Sequence, residues 1–99
     1  MDIKIQAIHF EATEKLQDFI QKKIGKLARF DSEIGKVEVS LKVVKPESAL
    51  NKEVDIRVYV KGRTLFASET CDTFEEAIDS CVDALKGQIE KKKNKSSLG

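Results

Sequence analysis

The chain has no tryptophan and only one proline, one histidine, one tyrosine and two cysteines among its 99 residues. Each scarcity closes a class of function. Cys71 and Cys81 stand outside CxxC spacing, and His9 is the sole imidazole, which is too few ligands for a zinc site. No metal and no cofactor is expected, and no disulfide in a reducing compartment. Gly25, Gly35, Gly62 and Gly87 are isolated, so there is no glycine-rich loop to cradle a phosphate. No apolar run approaches the roughly 20 residues that span a bilayer. The N-terminus Met1-Asp2-Ile3-Lys4-Ile5 lacks the apolar stretch of a secretory leader. The expectation is a cytoplasmic protein with no membrane partner. His9 has no Ser or Cys beside it to activate, and Glu75-Glu76 and Asp79-Asp83 read as an exposed helix face, so no acid–base role is assigned. No nucleophile, base and electrophile assemble; neither an enzyme nor a small-molecule substrate is expected.

What the chain does have is charge, sorted along its length. From Glu69 to Asp83 there are six carboxylates (Glu69, Asp72, Glu75, Glu76, Asp79, Asp83) and no basic residue. From Lys86 to Lys95 there are five lysines (Lys86, Lys91, Lys92, Lys93, Lys95) against one acid, Glu90. The net charge is only +1, so positive charge is concentrated where it could meet a polyanion. At this length the chain makes one domain, taken as residues 1–95 with a frayed tail at 96–99.

The apolar pattern sets the elements. Ile3 to Ile8 reads as a strand. Thr13 is a good N-cap with Glu14 in the first turn, and Leu16, Phe19, Ile20, Ile24 and Leu27 recur at helical spacing, giving a helix over about 14–29. Lys36 to Val44 alternates, with Val37, Val39, Leu41 and Val43 on one face. A loop follows around Pro46. Glu53 to Lys61 alternates again, Lys61-Gly62 marks a tight turn, and Thr64 to Ser68 returns. Thr73-Phe74-Glu75-Glu76 has the form of a capping box. Phe74, Ala77, Ile78, Cys81, Val82, Leu85 and Ile89 then trace one apolar helix face, on which Cys81 reads as a small core residue. The order β-α-β-β-β-α predicts an α+β, two-layer sandwich: a four-stranded mixed sheet with two helices on one face. A right-handed crossover makes the first two strands parallel.

On a helical wheel, Lys15, Lys22, Lys26 and Arg29 form a stripe flanking the apolar arc of the first helix. Lys23 falls near that arc, so it must either snorkel out along the sheet edge or point to a bound anion. With the two helices side by side, stripe and tail become one basic surface suited to a phosphate backbone. A lysine stripe is equally what a solvated helix face looks like, and lysines at a helix end complement its dipole. The pI of 7.7 lies below the value of about 9 expected of a generic nucleic-acid binder. The acids between Glu69 and Asp83 could repel phosphates elsewhere. A weaker candidate is base stacking on Tyr59 and Phe66 of the open sheet face; the aromatic-rich strand pattern that usually goes with it is absent.

Several runs carry a resemblance when taken in order. They are Glu11-Ala12-Thr13 into a helix ending Lys23-Ile24-Gly25-Lys26-Leu27-Ala28-Arg29-Phe30; Val37-Glu38-Val39-Ser40-Leu41-Lys42-Val43; Gly62 before Leu65-Phe66-Ala67-Ser68; and Ala77-Ile78-Asp79 with the tail Leu85-Lys86-Gly87-Gln88-Ile89-Glu90-Lys91-Lys92-Lys93. Over residues 3 to 95 the chain resembles the bacterial ribosome hibernation promoting factor and ribosome-associated inhibitor family, also described as sigma-54 modulation proteins. The resemblance implies a fold related to double-stranded-RNA-binding domains. It implies binding to the small ribosomal subunit and its rRNA, in the channel that otherwise holds mRNA and tRNA anticodon ends, and inhibition by steric occupancy. Lys23, Lys26 and Arg29 match basic positions of the family's first helix, and Lys91, Lys93 and Lys95 match its basic tail. Lys22 and Lys86 come from the wheel and the charge count, and Lys92 joins the tail. Those nine residues are the candidate rRNA-binding set.

Two departures stand out. Many members have Asp-Met-Tyr where Thr73-Phe74-Glu75 stand, and Arg where Gly87 stands. The chain lacks the C-terminal dimerisation domain of long members, so it resembles the short form and is expected to be a monomer off the ribosome. Two alternatives remain open: a double-stranded-RNA-binding module acting off the ribosome, and a protein-interaction regulator.

Overall fold

A computed structural model describes residues 2–30, 33–44 and 50–98, with side chains described as far as 90. Of the loop expected over Lys45 to Lys52, residues 45–49 lie outside the described residues. The elements are β1 (Asp2–Ala7), α1 (Glu14–Gly25), a short 3-10 helix (Lys26–Arg29), β2 (Ile34–Val43), β3 (Lys52–Val60), β4 (Arg63–Cys71) and α2 (Phe74–Leu98). The strands lie in the order β1-β2-β3-β4. β1 is parallel to β2 and the other pairs are antiparallel, which gives the expected mixed sheet. α2 continues to Leu98, into the segment 96–99 expected to be a frayed tail.

Alternation along the strands builds one face of the core. Val37, Val39, Leu41, Val54, Ile56, Val58, Val60, Leu65 and Ala67 are all buried. Leu16, Ile20, Ile24 and Leu27 from the first helical stretch cover them, with Ala77, Ile78, Cys81, Val82, Leu85 and Ile89 from α2, in a single cluster. Each buried Val, Leu or Ile among them contributes roughly 1.5–3 kcal/mol, an upper bound because denatured chains already bury some of this area. Thr13 caps α1, its Oγ1 accepting from Leu16 N at 3.1 Å. Thr73 does the same for Glu76 N at 3.1 Å. The return half of the capping box, Glu76 onto the Thr73 amide, is not among the hydrogen bonds of the described residues.

Four details depart from the sequence expectation. β2 begins at Ile34, not Lys36, because a bulge at Gly35 shifts the register between Ile34 and Lys36. The extra residue lets Ile34 and Val37, three apart, both face inward. Val43 shares the face of Val37, Val39 and Leu41 by alternation but is 38% exposed; β1 ends opposite Leu41, so Val43 has a neighbouring strand on one side only. β4 runs to Cys71, so Glu69 belongs to a strand and α2 carries the other acids of its run from Glu75 onward. The single helix expected over 14–29 changes to 3-10 winding after Gly25.

Candidate nucleic-acid interface

Both helices start at the same end of the sheet and run to the other. At their starts Phe10 stacks on Phe74, ring centroids 5.2 Å apart. Midway, Lys23 Nζ meets Asp79 Oδ1 at 2.9 Å. Further along, Lys86 Nζ sits 4.9 Å from the ring centre of Phe30, the residue that closes the 3-10 helix through its amide to Leu27 O. The C-terminal end of the first helical stretch, where backbone carbonyls carry partial negative charge, therefore lies beside Lys86 midway along α2, and α2 carries its lysine run on beyond it.

The tightened winding changes the first helix's stripe. In a 3-10 helix residues three apart eclipse, so Lys26 and Arg29 stand one above the other, both exposed. Lys22 is exposed one turn earlier. These three, with Phe19, Gln21, Lys23 and Gly25, border one shallow depression on the outer surface. Lys86 is half-buried, its ammonium laid over the Phe30 ring and so held at the seam between the helices. Lys91, Lys92, Lys93 and Lys95 lie on the α2 backbone; their side chains are outside the described residues.

Lys23 takes neither course expected of it. It does not run out along the sheet edge or stand open to an anion; it is 29% exposed, bonded to Asp79 and lying 5.5 Å from the Phe19 ring. The near-apolar position on the wheel is the seam between the helices, and α2 supplies a carboxylate there. Glu75, Asp79 and Asp83 recur every four residues and are exposed. The acidic half of α2 thus lies along the upper part of α1, and the basic half passes its lower end.

Gly87 is exposed, its φ is ordinary and a Cβ there would meet nothing within 4 Å. No packing or backbone constraint requires glycine. Next to it, Gln88 Nε2 donates to Phe66 O at 2.9 Å, covering a carbonyl on the outer edge of β4.

The sheet's other face is open. Tyr59 is half-buried and its hydroxyl donates to Glu38 at 2.7 Å. That hydrogen bond, with Lys36 beside it, holds the Glu38 carboxyl below the usual range. Phe66 is 48% exposed with the Arg57 guanidinium 5.7 Å from its ring. Of the two aromatics considered for stacking, only Phe66 lies open. Its surroundings (Lys4, Glu38, Asp55 and Arg57) mix both signs, unlike the helix side.

Wheel reasoning could not reach Arg63, which lies on a strand. It opens β4 after the turn at Gly62, whose φ is 85°. Its position has the inward parity of buried Leu65 and Ala67, and that alternation was the available signal. Among the described residues no group of His, Cys, Asp or Glu could hold a metal ion, and no helix is long and apolar enough to cross a membrane.

The profile of the family described as sigma 54 modulation protein / S30EA ribosomal protein matches residues 3–97. A ribosome hibernation promoting factor from Escherichia coli (strain K12) is 33% identical over 95 residues, covering 96% of each chain. Two solved structures share the fold. A ribosomal subunit interface protein from Coxiella burnetii superposes with a TM-score of 0.84 at 23% identity, over 95% of this chain and 99% of the other. The N-terminal domain of Thermus thermophilus Protein Y gives 0.80 at 25% identity, over 92% and 98%.

Proposed function

The chain belongs to the sigma 54 modulation protein / S30EA ribosomal protein family, and from that membership we propose that it is a ribosome-binding translation inhibitor that promotes ribosome hibernation. Residues 1–95 act as one ribosome-binding domain in the cytoplasm. It enters the mRNA and tRNA channel of the small subunit as a monomer and excludes both by occupying their space. The reading needs no catalysis, cofactor or small-molecule substrate.

The observation that carries this reading is one basic pole, formed where the first helix ends against α2 and α2 continues past it. Lys22, Lys26 and Arg29 face outward from the first helix, Lys86 sits at the seam, and the helix bearing Lys91, Lys92, Lys93 and Lys95 continues past them. Contacts from such residues to rRNA phosphates supply affinity without reading sequence. Lys23 joins the interface only by exchanging Asp79 for a phosphate. The acids of α2 keep the remainder of the surface from holding RNA, which fits a chain of net charge +1.

The test is co-sedimentation with purified small subunits across a salt series. Wild type pellets with subunits at moderate salt, and log affinity falls linearly with log salt by roughly 0.7–0.9 per phosphate contact. Lys26→Glu, Arg29→Glu and Lys91→Glu each weaken binding. Wild type left in the supernatant, or reversals that bind equally well, overturns the reading. Duplex RNA that competes as strongly as subunits favours a double-stranded-RNA-binding module acting off the ribosome.

A further inference from the structure

Arg63 is half-buried, and two nitrogens of its guanidinium are buried without an acceptor. Among the described residues, its Nε and Nη2 are the only buried side-chain nitrogen or oxygen atoms with no hydrogen-bond partner. It takes part in neither of the ion pairs found there, Lys23–Asp79 and Lys36–Glu38. Arginine cannot shed its charge to relieve this. Buried donors without acceptors are unfavourable in the free protein. The same arrangement becomes favourable when an oxyanion offers two oxygens to the guanidinium fork.

The topology indicates which oxyanion. The bond from Gln88 to Phe66 sets α2 against β4, and the two run in opposite directions. From Phe66 back to Arg63 is about 10 Å of strand, which matches about seven residues of helix. That brings the α2 backbone near Lys95 level with Arg63. Lys61, exposed in the adjoining turn, adds a further cation. Two desolvated donors in a fork, with Lys61 on one side and Glu33 next to it in space, stand level with the far end of α2 and suit a phosphate, which accepts two hydrogen bonds side by side.

We propose that Arg63 is a phosphate-binding residue that extends the basic pole from the helices onto the end of the sheet and takes one backbone phosphate of bound RNA. Arg63 is none of the basic positions that the family resemblance matches. The proposal rests on the rRNA-binding reading, and one arm of its test does not depend on that reading.

Arg63→Met and Arg63→Lys are compared with wild type in two measurements. In the first, binding to small subunits is titrated across salt. Arg63→Met weakens binding about tenfold at low salt, and its log–log salt slope becomes shallower by roughly 0.7–0.9, one phosphate's worth. Arg63→Lys keeps the slope and loses part of the affinity, because a point charge replaces a fork. In the second, the free protein is melted in inorganic phosphate and in chloride at equal ionic strength. Phosphate raises the wild-type midpoint and leaves that of Arg63→Met unmoved. Without phosphate, Arg63→Met melts at or above the wild-type temperature, since it removes an unfavourable buried charge. A melting point several degrees lower identifies Arg63 as a packing residue and overturns the proposal, as do equal phosphate shifts in the two proteins. Wild type that fails to bind subunits overturns the ribosomal reading, and the melting arm still decides Arg63.

Discussion

Lys23 Nζ lies 2.9 Å from Asp79 Oδ1, so the last turn of α1 is tied to α2 by a cation the family resemblance assigns to RNA. On the proposed rRNA-binding reading, protein carboxylate and RNA phosphate would compete for one ammonium. Both side chains keep solvent contact, 29% and 52% exposed, and a pair of this kind contributes at most about 1 kcal/mol. Asp79→Asn is therefore expected to leave the urea midpoint nearly unchanged while raising small-subunit affinity several-fold. Its salt slope becomes steeper as Lys23 gains a phosphate. Affinity that falls or stays constant would show that the pair does not hold Lys23 back.

Gly87 has open space where a Cβ would stand. Replacing an exposed mid-helix glycine with alanine gains up to about 1 kcal/mol. Gly87→Ala should raise the thermal midpoint, and Gly87→Arg should raise it comparably while strengthening subunit binding at low salt. A midpoint that falls for both variants would mean that the glycine meets a constraint not visible in its surroundings.

Cys81 donates to Val54 O at 3.5 Å. Burial, and then the nearby carboxylates Glu69 and Asp55, push its thiol up to about 12 from 9.0. The folded state keeps the proton, whereas the unfolded chain releases it above about 9. The stability this group contributes is whole below that pH and is lost as pH rises toward 12, at no more than about 1.4 kcal/mol per pH unit. Urea midpoints from pH 8.5 to 11 should fall more steeply for wild type than for Cys81→Ala, and parallel curves would refute this. Alkylation at pH 8 should spare Cys81 until the protein unfolds.

His9 follows β1 with φ of 65°, a left-handed conformation that costs most side chains about 1–2 kcal/mol. It is exposed. His9→Gly should stabilise the fold by roughly 0.5–1 kcal/mol, after allowance for glycine's greater freedom when unfolded. Denaturant titration checks the sign, and a loss would mean that the imidazole makes a compensating contact.

Periodicity carried the architecture, because each buried stripe leaves a mark at period two or 3.6. The twenty buried apolar positions among the described residues act cooperatively, and single exceptions such as Val43 do not disturb them. What the pattern missed was set by neighbours distant in sequence. The bulge at Gly35 moves Ile34 into the core through pairing with Val60. The 3-10 winding at Lys26 alters which cations align. Lys23 looked like an anion ligand because the wheel of one helix cannot contain the carboxylate of another. Arg63 reads as an ordinary strand residue until burial and missing acceptors are seen together. The candidate site was legible as a supply of charge; which charges are already partnered required the tertiary structure.

Two helices pointing the same way give this small protein a front and a back. The molecule measures 48 Å along its longest axis. The helix starts carry Glu11, Glu14, Glu75 and Glu76, and the helix ends carry Arg29, Lys86 and the lysine run. A body charged in this way experiences a torque in the field of a polyanion as well as an attraction. At low salt, where that field reaches about 30 Å, the torque turns the protein end-on before contact, so its first touch is made by the end of α2. Added salt shortens the range to a few ångströms and leaves the protein to find its orientation by collision. Capture rate should therefore lose more to salt than the number of final contacts alone would require.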